Sequence, residues 1–407
     1  MKQTLADLAI YGGPPAFTES LYVGRPNIGD RKLLFDRLEQ ALDRRWLTNQ
    51  GPLVREFEER VAGLSGTRHC VAMCNATLAL QIGARAMGMT GEVIMPSFTF
   101  VATPHALSWI GIKPVFCDID PRTHLMDPTH VESLITPATT GILGVHLWGQ
   151  PCAPTSLPQI AARYGLPLLY DAAHAVATRW NGRPLATLGD ATVFSFHATK
   201  FVNAFEGGAL LTDDDGLAAT ARAMRSFGQT GEDQVSHLGT NAKMSEASAA
   251  MGLTSLDAMP EVVARNLANH GRYLSELAGV PGVRVLPFER GNNHQYVVME
   301  IDERITGVSR DTLRAILTTE NVNCRSYFAP GCHMMDTYPG SPRLPHTEAV
   351  SRRVLGLPTG TAVSDLEVIR VCEIIRFTVA HGHEIAARLR SGSAARTSAR
   401  PLAPTPR

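Results

Sequence analysis

The stretch Ser195-Phe-His-Ala-Thr-Lys-Phe-Val-Asn-Ala-Phe-Glu-Gly-Gly208 sets one lysine, Lys200, between the end of an apolar run and a glycine pair. The run before it, Ala191-Thr-Val-Phe-Ser-Phe, is rich in β-branched and aromatic residues and reads as a buried strand. Six further short runs of the same kind are present: His69-Cys-Val-Ala-Met, Glu92-Val-Ile-Met, Lys113-Pro-Val-Phe-Cys-Asp, Gly141-Ile-Leu-Gly-Val-His, Leu166-Pro-Leu-Leu-Tyr-Asp and Gly208-Ala-Leu-Leu-Thr. Between them lie helical patterns such as Thr77-Leu-Ala-Leu-Gln-Ile-Gly-Ala-Arg-Ala-Met and Ser156-Leu-Pro-Gln-Ile-Ala-Ala-Arg-Tyr. Strands that are apolar throughout, rather than alternating, and that are separated by helices predict an α/β fold with a large, mostly parallel sheet covered on both faces. Such a sheet binds ligands beyond the carboxyl ends of its strands.

After a long helical stretch near residues 245 to 280, the pattern changes to separated strands (Val283-Arg-Val-Leu-Pro and Gln295-Tyr-Val-Val-Met-Glu-Ile) and helices, a smaller α+β unit. The expected organisation is an N-terminal arm over 1–30, a large domain over 31–262, a small C-terminal domain over 263–388 and a tail over 389–407. The last segment, rich in Ser, Ala, Pro and Arg without apolar period, reads as mobile.

The 407 residues are 44% apolar and 19% charged, enough for one large core and a smaller one. Basic and acidic residues number 38 each, so no global positive field exists to gather nucleic acid or an anionic membrane. No apolar run reaches the ~18 residues needed to cross a bilayer, and Met1-Lys-Gln-Thr-Leu-Ala-Asp lacks a secretory h-region. A cytoplasmic location is expected. The seven cysteines are scattered without zinc-ligand spacing, so they read as reduced core residues and no metal is expected.

The chemistry-bearing residues cluster at strand ends. Asp171 ends one strand and opens Asp171-Ala-Ala-His174; the ordinary alternative for such a carboxylate is a helix N-cap. Asn75-Ala76-Thr77 lies between a strand and a helix, where first-turn N–H groups suit a phosphate, although Asn75 is also an ordinary cap. Phe98 and Phe100 follow another strand, where an aromatic can stack on a flat ring or simply fill core. Ser195 adds a hydroxyl. A lysine, a carboxylate, an aromatic face and phosphate donors together are what pyridoxal 5′-phosphate requires.

The order of motifs resembles the DegT/DnrJ/EryC1/StrS sugar aminotransferases, which are fold type I pyridoxal-phosphate enzymes. The resemblance runs from about Pro26 to about Ile385. It is carried by Trp46-Leu-Thr-Asn-Gln-Gly-Pro, Asn75-Ala-Thr-Leu-Ala-Leu, Pro96-Ser-Phe-Thr-Phe-Val-Ala-Thr, His146-Leu-Trp-Gly-Gln-Pro, Asp171-Ala-Ala-His-Ala, Ser195-Phe-His-Ala-Thr-Lys, Glu206-Gly-Gly and Thr240-Asn-Ala-Lys-Met-Ser-Glu. It implies that Lys200 is the Schiff-base lysine, that Asp171 pairs with the pyridinium nitrogen, and that His174 lies beside the ring hydroxyl. It further implies that Ser195 and the backbone at Asn75, Ala76 and Thr77 hold the phosphate, that Phe100 rather than Phe98 covers the ring, and that Asn241 reaches the phosphate of a neighbouring subunit. A homodimer with shared sites follows from that last role. Two departures stand out: Asn75-Ala76-Thr77 replaces a common Ser-Gly-Thr, and Lys243 replaces an Arg, which removes a planar fork for carboxylate.

Within the family the chain is most similar to the branch that aminates C4 on the route to desosamine, through Leu5-Ala-Asp-Leu-Ala-Ile-Tyr-Gly-Gly-Pro, Val23-Gly-Arg-Pro-Asn, Asn292-Asn-His-Gln-Tyr, Tyr327-Phe-Ala-Pro-Gly-Cys-His and Leu357-Pro-Thr-Gly-Thr. That likeness implies L-glutamate as donor, dTDP-4-keto-6-deoxyglucose as acceptor and a deoxyaminosugar for a natural product. Tyr327, Phe328 and His333 fall where the family lines its sugar-nucleotide pocket; small-domain core is the ordinary alternative. The competing functions are C3 amination of a keto sugar and a non-catalytic cofactor- or ligand-binding sensor. A dinucleotide oxidoreductase is disfavoured, because no G-x-G-x-x-G joins the first strand to its helix.

Overall fold

The structure, a computed structural model, describes residues 2–394. All seven strands expected for the large sheet form one sheet: β1 (His69–Met73), β2 (Glu92–Pro96), β3 (Lys113–Cys117), β4 (Thr139–Val145), β5 (Leu168–Asp171), β6 (Ala191–Ser195) and β7 (Gly208–Thr212). Their spatial order is β1-β7-β6-β5-β4-β2-β3. Every neighbouring pair is parallel except those made by β7, which runs antiparallel to both β1 and β6. The carboxyl ends of the other six therefore share one edge with the first residue of β7. Gly208 stands in register with Met73 on one side and Ser195 on the other.

Helix α1 (Arg31–Arg44) precedes the sheet, as does α2 (Pro52–Ser65). Helix α3 (Ala76–Ala86) follows β1 and α4 (Ala102–Trp109) follows β2. The 31-residue α5 (Glu246–Glu276) is the long helix expected from the sequence. Its first turns are largely buried because they lie within the large core, which Ala249, Met251 and Leu253 share with Phe57 of α2; at its far end Tyr273 enters a second core. The two helices are also tied by charge. Glu246, fully buried, accepts from the N–H groups of Leu53 and Val54 at 2.9 Å each and so closes the start of α2. Gly51 is required there, since a Cβ would lie 2.4 Å from the Glu246 carboxyl carbon.

The second core surrounds a three-stranded antiparallel sheet, β8 (Val283–Val285), β9 (Val297–Ile301) and β10 (Val354–Leu357), in the order β8-β9-β10. Strand β9 alternates: Val297, Met299 and Ile301 face this core while Val298, like Tyr296 just before the strand, faces the large one. The N-terminal residues expected as an arm belong to the second core. Leu5, Leu8, Phe17 and Leu21 are buried in it, and buried Glu320 accepts from the N–H groups of Ala9 and Ala16. The segment expected as a tail from residue 389 begins as helix, since Gly382–Ala394 is helical; the remainder, 395–407, lies outside the described residues. Among the described residues no helix is long and apolar enough to cross a membrane, and no group of three or more His, Cys, Asp and Glu is placed to hold a metal ion.

Replacing Glu246 by Ala leaves two buried N–H groups of α2 without an acceptor. The expected result is a loss of about 2 kcal/mol or more in chemical denaturation, and Gly51→Ala, which displaces the same carboxylate, should lower the midpoint in the same way.

Candidate active site

A cavity of about 260 Å³ opens at the carboxyl edge of the large sheet and is closed on its far side by residues of the second unit. It is lined by Asn75, Ala76, Thr77, Phe100, Asp171, His174, Ser195 and Lys200, with Tyr327 and Phe328 from the later chain. Ten of the twelve residues singled out from the sequence thus meet in one place.

Asp171, the last residue of β5, is 6% exposed. Its carboxylate accepts from Thr103 Oγ1 at 2.7 Å and from the Ala173 N–H at 3.0 Å. Burial raises its pKa, and the Thr103 hydroxyl, the Ala173 N–H and the Lys200 charge act against that rise. Thr103 in turn lies 3.1 Å from Thr99 Oγ1. Thr103 is the last residue of the motif Pro96-Ser-Phe-Thr-Phe-Val-Ala-Thr, but its role was invisible in sequence because α4 and β5 are brought together only by the sheet order.

Lys200 follows β6, and desolvation lowers its pKa to about 8 despite the opposing influence of Tyr327 and Asp171. The amine donates to the Tyr296 hydroxyl at 3.1 Å. His174 is buried, and its pKa is held well below the usual value by desolvation and by the nearby lysine. The ring is therefore neutral. Its Nδ1 accepts from the Trp148 N–H at 3.3 Å, which leaves the proton on Nε2. Trp148 stacks on His174 with centroids 5.6 Å apart and on Phe328 at 5.5 Å.

At the opposite end Asn75 caps α3 by accepting from the Leu78 N–H at 2.8 Å. That bond leaves the first-turn N–H groups of Ala76 and Thr77 for an anion, beside the Ser195 hydroxyl. Gly208 is what lets this cradle exist, since a Cβ there would sit 2.4 Å from Ala76 N. The second glycine of the pair after Lys200 is thus explained by close approach of β7 to the start of α3, whereas a Cβ at the first, Gly207, would meet Ala204, Met244 and Phe196.

Phe98 and Phe100 part company. Phe98 is 1% exposed and packs edge-on against His124, Trp148 and Phe328, whereas Phe100 is 56% exposed and lines the cavity. His333 is not brought to the cavity: it is buried, with Nδ1 2.6 Å from Ser97 Oγ and Nε2 3.5 Å from Glu348 Oε1. The physical reason is its place in a buried polar tie between β2 and the later chain, which needs the ring turned inward. Asn241 is exposed, bridges Ser226, and does not line the cavity of its own chain. Lys243 lies over the Phe227 ring at 4.4 Å. Residues unnoticed in sequence are Thr103 and Tyr296.

These residues fit pyridoxal phosphate: a dehydrated carboxylate to meet a protonated ring nitrogen, an amine of lowered basicity, a neutral imidazole with an Nε2–H donor, an exposed aromatic, and a helix start cleared by Gly208. The sequence model of the DegT/DnrJ/EryC1/StrS aminotransferase family matches residues 30–376. The chain is 32% identical over 366 residues to the dTDP-4-amino-4,6-dideoxy-D-glucose transaminase of Escherichia coli, covering 88% of this chain and 98% of the relative. It is 32% identical over 375 residues to the spore coat polysaccharide biosynthesis protein SpsC of Bacillus subtilis, covering 86% and 95%. Among solved structures, DesI in the presence of its TDP-sugar product superposes with a TM-score of 0.93 at 57% identity, over 95% of this chain and all of the other (100%). The synthase of 3-amino-5-hydroxybenzoic acid superposes at 0.81 with 27% identity, over 90% and 100%.

Thr103→Val removes the hydroxyl that opposes the rise in the Asp171 pKa. Asp171 should then lose its charge at a higher pH than in the wild type. A pH profile of kcat/KM is expected to show its acidic limb displaced upward, with a fall on the order of tenfold at neutral pH.

Proposed function

We propose that this chain, which belongs to the DegT/DnrJ/EryC1/StrS aminotransferase family and is a pyridoxal-phosphate-dependent sugar aminotransferase of fold type I, moves an amino group from L-glutamate to C4 of dTDP-4-keto-6-deoxyglucose. The product of that reaction is dTDP-4-amino-4,6-dideoxyglucose, a building block for a glycosylated natural product. The observation that carries the choice of sugar is the 57% identity to DesI, itself solved with a TDP-sugar product; the likeness to the Escherichia coli transaminase supports it.

When bound, pyridoxal phosphate supplies an aldehyde that condenses with amines and a ring that accepts the electron pair released at the donor's α-carbon. In our reading Lys200 holds the aldehyde carbon, Asp171 keeps a proton on the ring nitrogen, His174 Nε2–H donates to the ring oxygen, and Phe100 covers one face. Ala76, Thr77 and Ser195 hold the phosphate, with Asn75 fixing the helix start. Burial lowers the Lys200 pKa to about 8, which would favour the neutral amine once a substrate amine has displaced it from the aldehyde carbon, and Lys200 would then be the group that takes the proton from the donor's α-carbon. Tyr327 and Phe328 offer an aromatic wall for thymine or for the deoxy face of the sugar.

We read the working unit as a homodimer. Asn241 stands exposed outside its own cavity, and Phe205, Phe227 and Leu238 are exposed apolar side chains of the same region of sequence. A second copy of the chain would cover them and bring its Asn241 to the phosphate end.

Incubation with L-glutamate and, separately, the 3-keto and 4-keto dTDP sugars should give a new amine only at C4, located by NMR; an amine at C3 would reverse the regiochemical assignment. Mixing inactive Lys200→Ala and Asn241→Ala chains should restore a measurable part of the activity, and no recovery in a verified mixed dimer would remove the shared site.

A further inference from the structure

Tyr296 lines the cavity from the position just before β9 of the smaller sheet and is hydrogen-bonded to Lys200. Its hydroxyl accepts from Lys200 Nζ at 3.1 Å, and the residue is 7% exposed. The ring is held on three sides. It tilts against His174 with centroids 4.3 Å apart, meets Trp148 edge-on at 5.4 Å, and meets Tyr327 edge-on at 5.9 Å.

The backbone that presents it is clamped as well. Asn292 Nδ2 donates to the carbonyls of Trp148 and Gly149 at 3.0 and 2.8 Å. Asn293 Nδ2 donates to those of His174 and Val176 at 2.9 and 3.0 Å. The oxygens of the same two side chains accept from the N–H groups of His294 and Gln295 at 2.7 and 3.0 Å. The motif Asn292-Asn-His-Gln-Tyr296 therefore spans from the loops after β4 and β5 to the residue just before β9. The alternation of β9 then turns Tyr296 toward the large sheet while Val297 turns away.

We propose that Tyr296 is a positioning residue for Lys200: its hydroxyl, placed by the Asn292–Asn293 clamp, holds the amine in the orientation for proton transfer and favours its protonated form. The inference rests on Lys200 being the reactive amine of the proposed reaction. Desolvation raises the phenol's pKa well above its ordinary range, so the hydroxyl stays neutral and accepts from the amine. An acceptor at Nζ stabilises the charged amine. The other titratable groups around the pair are Asp171, His174 and Tyr327, with His197 and Glu206 at the cavity mouth. Asp171 and Tyr327 also favour the charged lysine, and desolvation opposes it.

The test is Tyr296→Phe in the cofactor-loaded enzyme, which keeps the ring that packs on His174 and deletes only the hydroxyl. The pH at which the visible absorbance of the bound cofactor titrates should fall by about one unit, the equivalent of one hydrogen bond to a charged group. The rate of the half-reaction with L-glutamate should fall about tenfold or more, with an enlarged effect of deuterium at the donor's α-carbon and little change in KM. Asn293→Ala, which leaves the hydroxyl in place but frees its backbone, should move the titration in the same direction by less. A Tyr296→Phe enzyme with wild-type titration, rate and isotope effect overturns the role of Tyr296, and a wild-type titration in Asn293→Ala overturns the clamp. Wild-type protein without any visible cofactor band would instead defeat the reading of Lys200 on which the inference rests.

Discussion

A carboxylate and an amine are withheld from water at one edge of a parallel sheet, and the remainder of the site follows from that. Asp171 ends β5 and Lys200 stands in the turn that follows the neighbouring strand β6, so the sheet order brings both to one edge. Desolvation moves both pKa values toward the neutral forms. The carboxylate is thereby left in want of a cation, and the amine is brought within reach of neutral pH. A protonated pyridine ring that carries an aldehyde would meet both needs. Thr103, Ala173 and Tyr296 supply enough hydrogen bonds to keep the two groups oriented without giving either a full counter-charge.

Holding that pair dry requires the second unit to stay in place. Among the polar ties that cross to it from the large domain, three stand at the ends of strands of the large sheet. The Asn292–Asn293 pair binds the loops after β4 and β5. Buried Asp118, just after β3, accepts from the N–H groups of His346 and Thr347 and from the Thr347 hydroxyl. Ser97, just after β2, accepts from the His333 N–H and faces its ring. Each tie satisfies backbone or side-chain groups that would otherwise be buried without partners, so loosening any one carries a cost of order 1–3 kcal/mol per orphaned group. The cavity wall made of Tyr296, Tyr327 and Phe328 is thus carried on a rigid mount.

Much of this was legible in the chain. The seven strands were readable because a strand buried on both faces has to be apolar along its whole length. Lys200, Asp171, His174 and Ser195 were readable because each lies at the end of such a run or within a few residues after it. What could not be read was contact between segments far apart in sequence. Thr103 meets Asp171 across 68 positions and Tyr296 meets Lys200 across 96. Phe98 and Phe100, two residues apart, were separable by physical pattern only once the turn after β2 showed which ring faced the core. His333 sits in a motif with Tyr327 and Phe328, yet a buried tie to Ser97 draws it away from the cavity.

The sequence by itself determined the strands of the sheet, the residue types gathered at its carboxyl edge and the kind of cofactor they suit, because those depend on local burial pattern and on residue chemistry. Only the tertiary structure decided which hydroxyls stand beside the two charged groups, which aromatic rings face the cavity, and that the N-terminal residues join the second core. Those outcomes depend on strand order and on the alternation of β9 across two cores, and neither is written in any single segment of the chain.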